Sequence, residues 1–267
     1  MNAASGVLPP AVEFLAPQAW QSIDFISDLH LCDALPRTFD AWSAYMRSTP
    51  ADAVFILGDL FEFWQGSDAV QMDFERQCIQ VLSQSSKQRH VALMVGNRDF
   101  LITPQFLADI GVHALADPTL LRAWSQSLLL THGDALCLDD EPYQRFRAWT
   151  RDPATQQGFL ARPLAERVKL SAGIRHASEA GRSQTPPEGG WPDLDAAAAV
   201  ACLRNAGAAQ MLHGHTHRPG ASTLAPGFDR QVLSDWDVDG PTPRAEVLRL
   251  RRDGFERMTC AAAVARR

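Results

Sequence analysis

The segment AQMLHGHTHRPG, residues 209–220, shows the unit that decides the fold: a short apolar run that ends abruptly in polar residues. Its polar part carries three of the chain's eight histidines, His213, His215 and His217. This alternate spacing would place all three imidazoles on one face of a β-strand. Burying three imidazoles costs free energy unless each has a partner. Metal ligation is the alternative explanation, and it requires further ligands elsewhere in the chain.

The same unit recurs four more times along the chain. SIDFIS leads into DLH (22–30), DAVFIL into GDLFEFW (52–64), HVALMV into GNRDF (90–100) and SLLL into THGD (127–134). Apolar runs of this length predict strands. Helical patterns lie between them, at 37–48, 69–86, 104–110 and 193–206, the last capped by Asp193. The alternation predicts an α/β fold, and a C-terminal hairpin turning at Asp253-Gly254 predicts a second, mixed sheet.

Composition excludes several broad classes of protein. The 267 residues carry a net charge of −6 and are 46% hydrophobic, which suits a globular domain with a full core and not a surface that coats nucleic acid. The five scattered cysteines include no C-x-x-C pair, which predicts reduced thiols. Residues 1–20 lack the basic start and the apolar run of a signal peptide or membrane anchor. We therefore expect a loose extension there, followed by one domain over 21–267.

Polar residues at the carboxyl ends of strands meet at one edge of an open α/β sheet, where such folds bind ligands. The five units place seven potential metal ligands there: Asp28, His30, Asp59, Asn97, His132, His215 and His217. Seven ligands are too many for one ion but suit two ions that share a carboxylate and together bind a phosphoryl group. Imidazole mixed with carboxylate, without thiolate, favours Mn, Fe or Zn over Mg.

In chain order these motifs are D-x-H, G-D, G-N, H-G-D and G-H-x-H, and together they resemble the calcineurin-like metallophosphoesterases. The resemblance implies a four-layer αββα sandwich in which Asp59 bridges two divalent ions. It divides the other ligands into two sets: Asp28, His30 and His217 for one ion, and Asn97, His132 and His215 for the other. It also implies that catalysis depends on four residues: Asp59, Asn97, Arg98 and His132.

The position after Asn97 departs from most of that family, which has a histidine there as a proton donor. Arg98 stays charged near neutral pH but can bind phosphate oxygens bidentately, as a diphosphate substrate requires. With this change, residues 22–236 resemble the branch that hydrolyses UDP-2,3-diacylglucosamine in lipid A biosynthesis. That resemblance implies cleavage to UMP and 2,3-diacylglucosamine 1-phosphate, with Mn²⁺ as the metal. It also implies a peripheral position on the anionic cytoplasmic face of the inner membrane.

Residues from about 139 to 191 interrupt the strand pattern and form an insertion. Between residues 142 and 182 there are eight basic residues against three acidic ones, and Leu160, Leu164 and Val168 recur at helical spacing. The insertion is therefore a helical lid that holds an anionic, acylated substrate and contacts an anionic membrane, or else a solvated segment whose apolar stripe packs on the core. The resemblance favours the lid.

The resemblance also implies a set of substrate contacts: Asn97, Arg98, Asp140, Arg175, Ser178, Arg182 and His215. Within this set Arg182 departs from the family pattern, which has asparagine there, and Thr185 stands where the pattern has lysine. His213 lies outside the G-H-x-H motif, so we expect it to pack as a strand residue.

Two residues beside the ligands are expected to support them. Asp134 should hold His132 from behind, and Asp99 should orient Asn97 or Arg98. Two other functions remain open: a metallophosphoesterase acting on another nucleotide diphosphate or phosphodiester, and a non-catalytic scaffold that kept the fold. A scaffold would be expected to lose ligands, whereas all seven positions are filled here.

Overall fold

The computed structural model describes residues 8–182 and 193–265, with side chains described outside 174–182. Two six-stranded sheets form its centre. Sheet one contains, in spatial order, β1 (Val12–Leu15), β6 (Thr119–Ala123), β7 (Gln126–Leu130), β8 (Gln210–His213), β10 (Phe228–Val232) and β9 (Gly220–Ala225). Sheet two contains β12 (Gly254–Thr259), β11 (Glu246–Arg251), β2 (Ile23–Ile26), β3 (Ala53–Leu57), β4 (His90–Met94) and β5 (His113–Leu115).

The alternation of side chains along the central strands divides the core into layers. In β3, Phe55 and Leu57 belong to the apolar cluster between the two sheets, whereas Val54 and Ile56 belong to the cluster beneath the helices of sheet two. Those helices are α1 (Pro36–Ser48), α2 (Asp73–Ser86), α3 (Pro104–Asp109) and α8 (Cys260–Ala265). On the other side, α7 (Ala196–Ala206) covers sheet one. The expected four-layer αββα sandwich is confirmed.

Two helix starts differ from the prediction. The helix predicted over 69–86 begins at Asp73, after a separate 3-10 turn (Ser67–Gln71). The cap of α7 is not Asp193 but Asp195, whose side chain accepts a hydrogen bond from the Ala198 amide at 2.7 Å. Asp193 is instead bound by both ends of the Arg230 guanidinium, at 2.8 and 2.7 Å. The helix is therefore capped two residues later than predicted.

The structure also differs from the expected loose extension at residues 12–15. This segment pairs in parallel with β6, from Val12 opposite Thr119 to Leu15 opposite Arg122, and so forms the edge of sheet one. The pairing turns Phe14 inward, where its ring lies edge-on to Phe55 at a centroid distance of 5.3 Å. Packing of Phe14 therefore stabilises β1. With four residues, this strand is too short to show a clear alternation of apolar and polar residues in the sequence.

The insertion contains three helices, α4 (Glu141–Arg151), α5 (Pro153–Leu160) and α6 (Leu164–Arg182). The apolar stripe is therefore not on one helix: Leu160 ends α5 and Leu164 begins α6, with Pro163 between them unable to continue a helix. Leu160 is exposed, Leu164 packs against the cluster beneath sheet two, and Val168 is half-buried. No helix in the described ranges has both the length and the apolar character needed to cross a bilayer.

Candidate metal centre

The seven predicted ligands all lie in loops that follow the carboxyl ends of strands. Sheet two contributes the loops after β2, β3 and β4, and sheet one contributes those after β7 and β8. The backbone amide of His215 joins the two groups of loops, since it donates to the Asp28 carboxylate at 3.1 and 2.9 Å. The ligands therefore gather where the ends of both sheets meet.

The paired ligands do not converge through the alternation of a β-strand, which the spacing of His213, His215 and His217 suggested. Asp28 and His30 lie beyond the end of β2, and His215 and His217 lie beyond the end of β8. These four residues and Asp59 have left-handed backbones, with φ between 49° and 64°. Among the described residues that are not glycine, only Trp124 also has a positive φ. Such conformations are unfavourable for ordinary residues and concentrate at functional sites, where the surrounding structure enforces them.

One cluster consists of Asp28, His30 and His217. The two Nε2 atoms of the histidines are 3.3 Å apart, and Asp28 Oδ1 lies 3.5 Å from His217 Nε2. One ligand atom from each of the three residues falls within 4.8 Å of the others. The Asp28 carboxyl is fully buried, which tends to raise its pKa, but hydrogen bonding to His217 and the charges of the neighbouring imidazoles hold that pKa well below its usual range. An ionised carboxylate and two imidazole nitrogens aimed at one point suit a divalent cation.

A second cluster consists of Asn97, His132 and His215. Asn97 Oδ1 lies 2.9 Å from His132 Nε2 and 2.8 Å from His215 Nδ1. Burial lowers the pKa of His215 to about 4, with a further contribution from the charge of His132, so this imidazole is neutral and able to act as a ligand. Burial also favours neutral His132, but the carboxylates around it, Asp59 first, raise its pKa to about 9. This surplus of negative charge is what a bound cation would balance.

Asp59 lies between the two clusters. Its Oδ1 is 3.7 Å from His132 Nε2, and its Oδ2 is 4.0 Å from His30 Nε2. The two oxygens of one carboxylate thus face different clusters. The arrangement has the donor types, the number of donors and the shared carboxylate that a pair of divalent ions requires.

Glycines next to the ligands allow the loops to approach closely. A Cβ on Gly96 would lie 2.1 Å from Asp59 Oδ1, and a Cβ on Gly214 would lie 2.4 Å from Asp28 Oδ2. Both distances are too short for any side chain. The glycines of the G-N and G-H motifs are therefore required because a carboxylate ligand from another loop occupies the space of their side chains.

Each of three histidine ligands has an acceptor behind the ring nitrogen that faces away from the cluster. His132 Nδ1 lies 2.9 Å from the Leu57 carbonyl oxygen, His30 Nδ1 lies 3.0 Å from Glu62 Oε2, and His217 Nδ1 lies 3.6 Å from Asp235 Oδ2. Acceptors within hydrogen-bonding distance fix the tautomer and orientation of a metal-binding imidazole, whereas the 3.6 Å separation between His217 and Asp235 is an electrostatic contact. No role was predicted for Glu62 or Asp235. The available signal was their position shortly after a strand, five residues beyond the end of β3 in GDLFEFW and three beyond the end of β10 in LSDWD.

The expected role of Asp134 behind His132 is wrong. Its Oδ2 accepts hydrogen bonds from the Tyr143 hydroxyl at 2.7 Å and from Arg147 Nε at 2.8 Å, so it fastens α4 of the insertion to the loop that carries His132. The backbone carbonyl of Leu57 on the adjacent sheet takes the place assigned to it. A carbonyl in this role leaves no trace in the sequence.

Asp99 is buried and joins two loops through hydrogen bonds to their backbone amides. None of its described hydrogen bonds involves the side chain of a predicted ligand. Its two oxygens accept from the amides of Gly96 at 2.7 Å and Leu60 at 2.8 Å, which joins the G-N loop to the G-D loop. Burial, with the nearby charge of Asp59, raises its pKa to about 6. The expectation that Asp99 orients Asn97 or Arg98 thus holds only through the backbone of their loop.

Arg98 lies beside the shared carboxylate. Its backbone amide donates to Asp59 Oδ1 at 2.8 Å, and its Nη1 lies 3.5 Å from Glu62 Oε1. Only about a tenth of the side chain is exposed. The guanidinium is therefore held beside Glu62 and largely shielded from water, a setting in which a charge interacts strongly with an anion.

Two other predicted residues, His213 and Asp140, lie outside the ligand clusters. His213 is fully buried in β8, and burial lowers its pKa to about 4, which agrees with a packed strand residue. Asp140 caps α4, with its side chain accepting from the Tyr143 amide at 3.1 Å. The other three predicted substrate contacts have side chains outside the described residues: Arg175, Ser178 and Arg182.

Comparison with known proteins identifies the family. The family model of the calcineurin-like phosphoesterases matches residues 22–219, which include all seven ligands. A UDP-2,3-diacylglucosamine hydrolase from Ralstonia nicotianae is 41% identical over 237 residues, covering 85% of this chain and 88% of the relative. One from Aromatoleum aromaticum is 40% identical over 224 residues, covering 81% and 90%. Among solved structures, a dimetal phosphatase from Danio rerio is 14% identical, with a TM-score of 0.46 and coverage of 90% and 98%. From the extent of the family match and the identity to these relatives, the chain belongs to the calcineurin-like phosphoesterase family.

Proposed function

We propose that this protein hydrolyses the diphosphate of UDP-2,3-diacylglucosamine, giving UMP and 2,3-diacylglucosamine 1-phosphate. Water adds across one P–O bond of the diphosphate, so each product keeps one phosphate. The observation that carries the proposal is the placement of Asp59, whose two oxygens face two separate clusters of ligand atoms. The names of the relatives supply the substrate, since both proteins compared above are UDP-2,3-diacylglucosamine hydrolases.

The two clusters would hold two divalent ions, with Asp59 shared between them. When bound, such a pair offsets the charge of the phosphate oxygens and lowers the pKa of water enough for it to act as a nucleophile near neutral pH. Four of the seven ligands are histidines, which favours Mn²⁺ over Mg²⁺ because Mg²⁺ prefers oxygen ligands and retains its water. We propose Mn²⁺ as the ion.

Arg98 would bind the diphosphate. A guanidinium does not give up its proton near neutral pH, so Arg98 cannot protonate the leaving group but can donate two hydrogen bonds to phosphate oxygens. Its amide contact with Asp59 and its ion pair with Glu62 hold the guanidinium before substrate arrives. Fixed donors of this kind stabilise charge that develops in the transition state. Asn97 and His215 would contact the same phosphate from the second cluster.

A cavity beside the metal centre, lined by both apolar and acidic side chains, would take an acyl chain along its apolar part. Its volume is about 720 Å³, and it lies between the segment that follows β2, the start of α2 and helix α6 of the insertion. Phe39, Phe63, Phe74 and Val168 contribute apolar walls, and Glu62 joins the cavity to the His30 side of the metal centre. Burying a chain there contributes roughly 0.8 kcal/mol for each methylene.

The outer face of the insertion would contact the anionic membrane from which an acylated substrate comes. Trp149, Leu160 and Leu170 are exposed large apolar side chains, and all three lie in α4, α5 and α6. Arg145 in α4 and Arg162, between α5 and α6, are exposed as well. Apolar side chains among cations are the surface that binds an anionic bilayer. We place this contact at the cytoplasmic face of the inner membrane, where the protein would be peripheral.

A substrate panel tests the proposal. The Mn²⁺-loaded protein is assayed with UDP-2,3-diacylglucosamine, with UDP-glucosamine and with a small activated phosphodiester. We expect kcat/KM to be highest, by at least about 100-fold, for the acylated sugar, because only that substrate can fill the cavity. Equal kcat/KM on acylated and unacylated UDP-sugars would favour a phosphoesterase with another substrate.

A further inference from the structure

The carboxylate of Glu62 makes contacts on two sides. Its Oε2 lies 3.0 Å from His30 Nδ1, and its Oε1 lies 3.5 Å from Arg98 Nη1. The side chain is only 18% exposed, so both contacts are largely shielded from water. One carboxylate thus touches a residue of the first ligand cluster and the arginine beside the second.

The backbone around Glu62 holds these contacts in place. The Glu62 amide donates to the Leu31 carbonyl oxygen at 3.1 Å, next to His30, and Leu31 and Phe61 form a parallel bridge. On the other side, the Trp64 amide donates to the Arg98 carbonyl oxygen at 3.2 Å. The segment 61–64 is therefore hydrogen-bonded to both the loop of His30 and the loop of Arg98.

Each contact restricts a side chain whose orientation matters. With Nδ1 of His30 facing Glu62, its Nε2 is the atom that faces His217 Nε2 at 3.3 Å. An acceptor behind a metal-binding imidazole fixes both its tautomer and its ring plane. The same carboxylate restricts where the guanidinium of Arg98 can go. Moving Glu62 would therefore disturb a metal ligand and a phosphate donor together.

We propose that Glu62 is a positioning residue that holds His30 as a metal ligand and Arg98 as a phosphate donor in one joint arrangement. This inference rests on the proposed function, because it assigns metal and phosphate binding to these two residues. It differs from a purely structural role of Glu62, which would affect folding without linking the two kinds of binding.

The test compares Glu62→Gln with a matched control, Asp235→Asn. Asp235 lies behind His217, the other imidazole of the same cluster, and its carboxylate also pairs with Arg244. Two quantities are measured: the affinity for Mn²⁺ by titration calorimetry, and the inhibition constant of inorganic phosphate against a small activated phosphodiester at saturating Mn²⁺. We expect both variants to lose about 10- to 100-fold in Mn²⁺ affinity, the usual cost of removing such a partner.

The phosphate measurement distinguishes the two variants. Glu62→Gln should weaken phosphate inhibition by about 10-fold, the size of one charge-assisted contact, whereas Asp235→Asn should leave it unchanged. In the Arg98→Ala background, Glu62→Gln should have no further effect on phosphate, because Glu62 acts through that arginine. Thermal unfolding of each metal-free variant monitors the fold, and Glu62→Ala provides a second variant if Glu62→Gln does not fold.

Mn²⁺ affinity within 2-fold of the parent for the folded Glu62 variant would overturn the inference. Effects of Glu62→Gln and Arg98→Ala on phosphate that simply add would overturn it as well. Neither measurement uses an acylated sugar, so the inference can fail while the proposed substrate stands. Conversely, loss of the proposed substrate would leave the metal and phosphate measurements valid.

Discussion

Gly96→Ala should disable the metal centre, because the loop of Asp59 leaves no room for a side chain there. The added methyl carbon would lie 2.1 Å from Asp59 Oδ1 and 2.5 Å from the Asp59 amide nitrogen. Moving that oxygen out to 3.0 Å, the shortest contact that such carbons tolerate, requires a shift of about 0.9 Å. Metal–ligand distances tolerate only about 0.2 Å, so a shift of this size removes Asp59 from at least one ion. A misplacement near 1 Å typically costs about 100-fold in rate.

The assay measures bound Mn²⁺ by elemental analysis after gel filtration, together with turnover of a small activated phosphodiester. We expect Gly96→Ala to retain fewer than two ions and to lose at least about 100-fold in turnover. Gly158→Ala is the matched control, because nothing lies within 4 Å of the methyl group that it would add. Two retained ions and turnover within about 3-fold of the parent would refute the argument that the loops are in close contact.

Three further substitutions address separate parts of the account. Asp59→Ala should abolish hydrolysis and lower bound Mn²⁺, since both ions lose a shared ligand, and elemental analysis that still finds two ions would contradict this. Arg98→Ala should lower turnover by a factor of order 10²–10³, the usual effect of removing one donor to the charge of the transition state, and should leave the metal content unchanged. Loss of metal with normal turnover would show that Arg98 has a structural role. Val168→Gln should lower kcat/KM for UDP-2,3-diacylglucosamine but not for a small phosphodiester, because Val168 lines the cavity. Equal loss on both substrates would show that Val168 only supports the core.

The fold and the ligand clusters could be predicted because both depend on patterns that repeat along the chain. β3 is buried at all five positions, so its sequence is a continuous apolar run, and the change to Gly58-Asp59 marks its end clearly. Once each strand end is found, the geometry of neighbouring strands places the polar residues together without any knowledge of distances. The same logic brings together the candidate ligands that follow β2, β4, β7 and β8.

What could not be predicted depends on contacts between distant segments. The acceptor behind His132 is the Leu57 carbonyl oxygen. Because every residue has a backbone carbonyl, residue identity does not show which one accepts this hydrogen bond. The left-handed backbone at His30 is uncommon for any residue other than glycine, so the residue type alone does not predict it. Glu62 was visible but could not be distinguished from a solvated glutamate without the 3.0 Å contact to His30.

The split of the insertion into separate helices could have been predicted. Pro153 follows a residue that ends one helix, and Pro163 lies between Leu160 and Leu164. A proline in either place excludes a continuous helix across it. The spacing of Leu160, Leu164 and Val168 indicates a shared apolar face only if one helix carries all three residues. Pro163 excludes such a helix.

An anomalous-scattering experiment on crystals grown with Mn²⁺ tests the central claim most directly. The account predicts two peaks about 3.5–4 Å apart, the separation usual for such pairs, with Asp59 between them. One peak should lie among Asp28, His30 and His217, and the other among Asn97, His132 and His215. A single peak, or two peaks with Asp59 outside the coordination of either, would contradict the shared carboxylate on which the proposed hydrolysis depends.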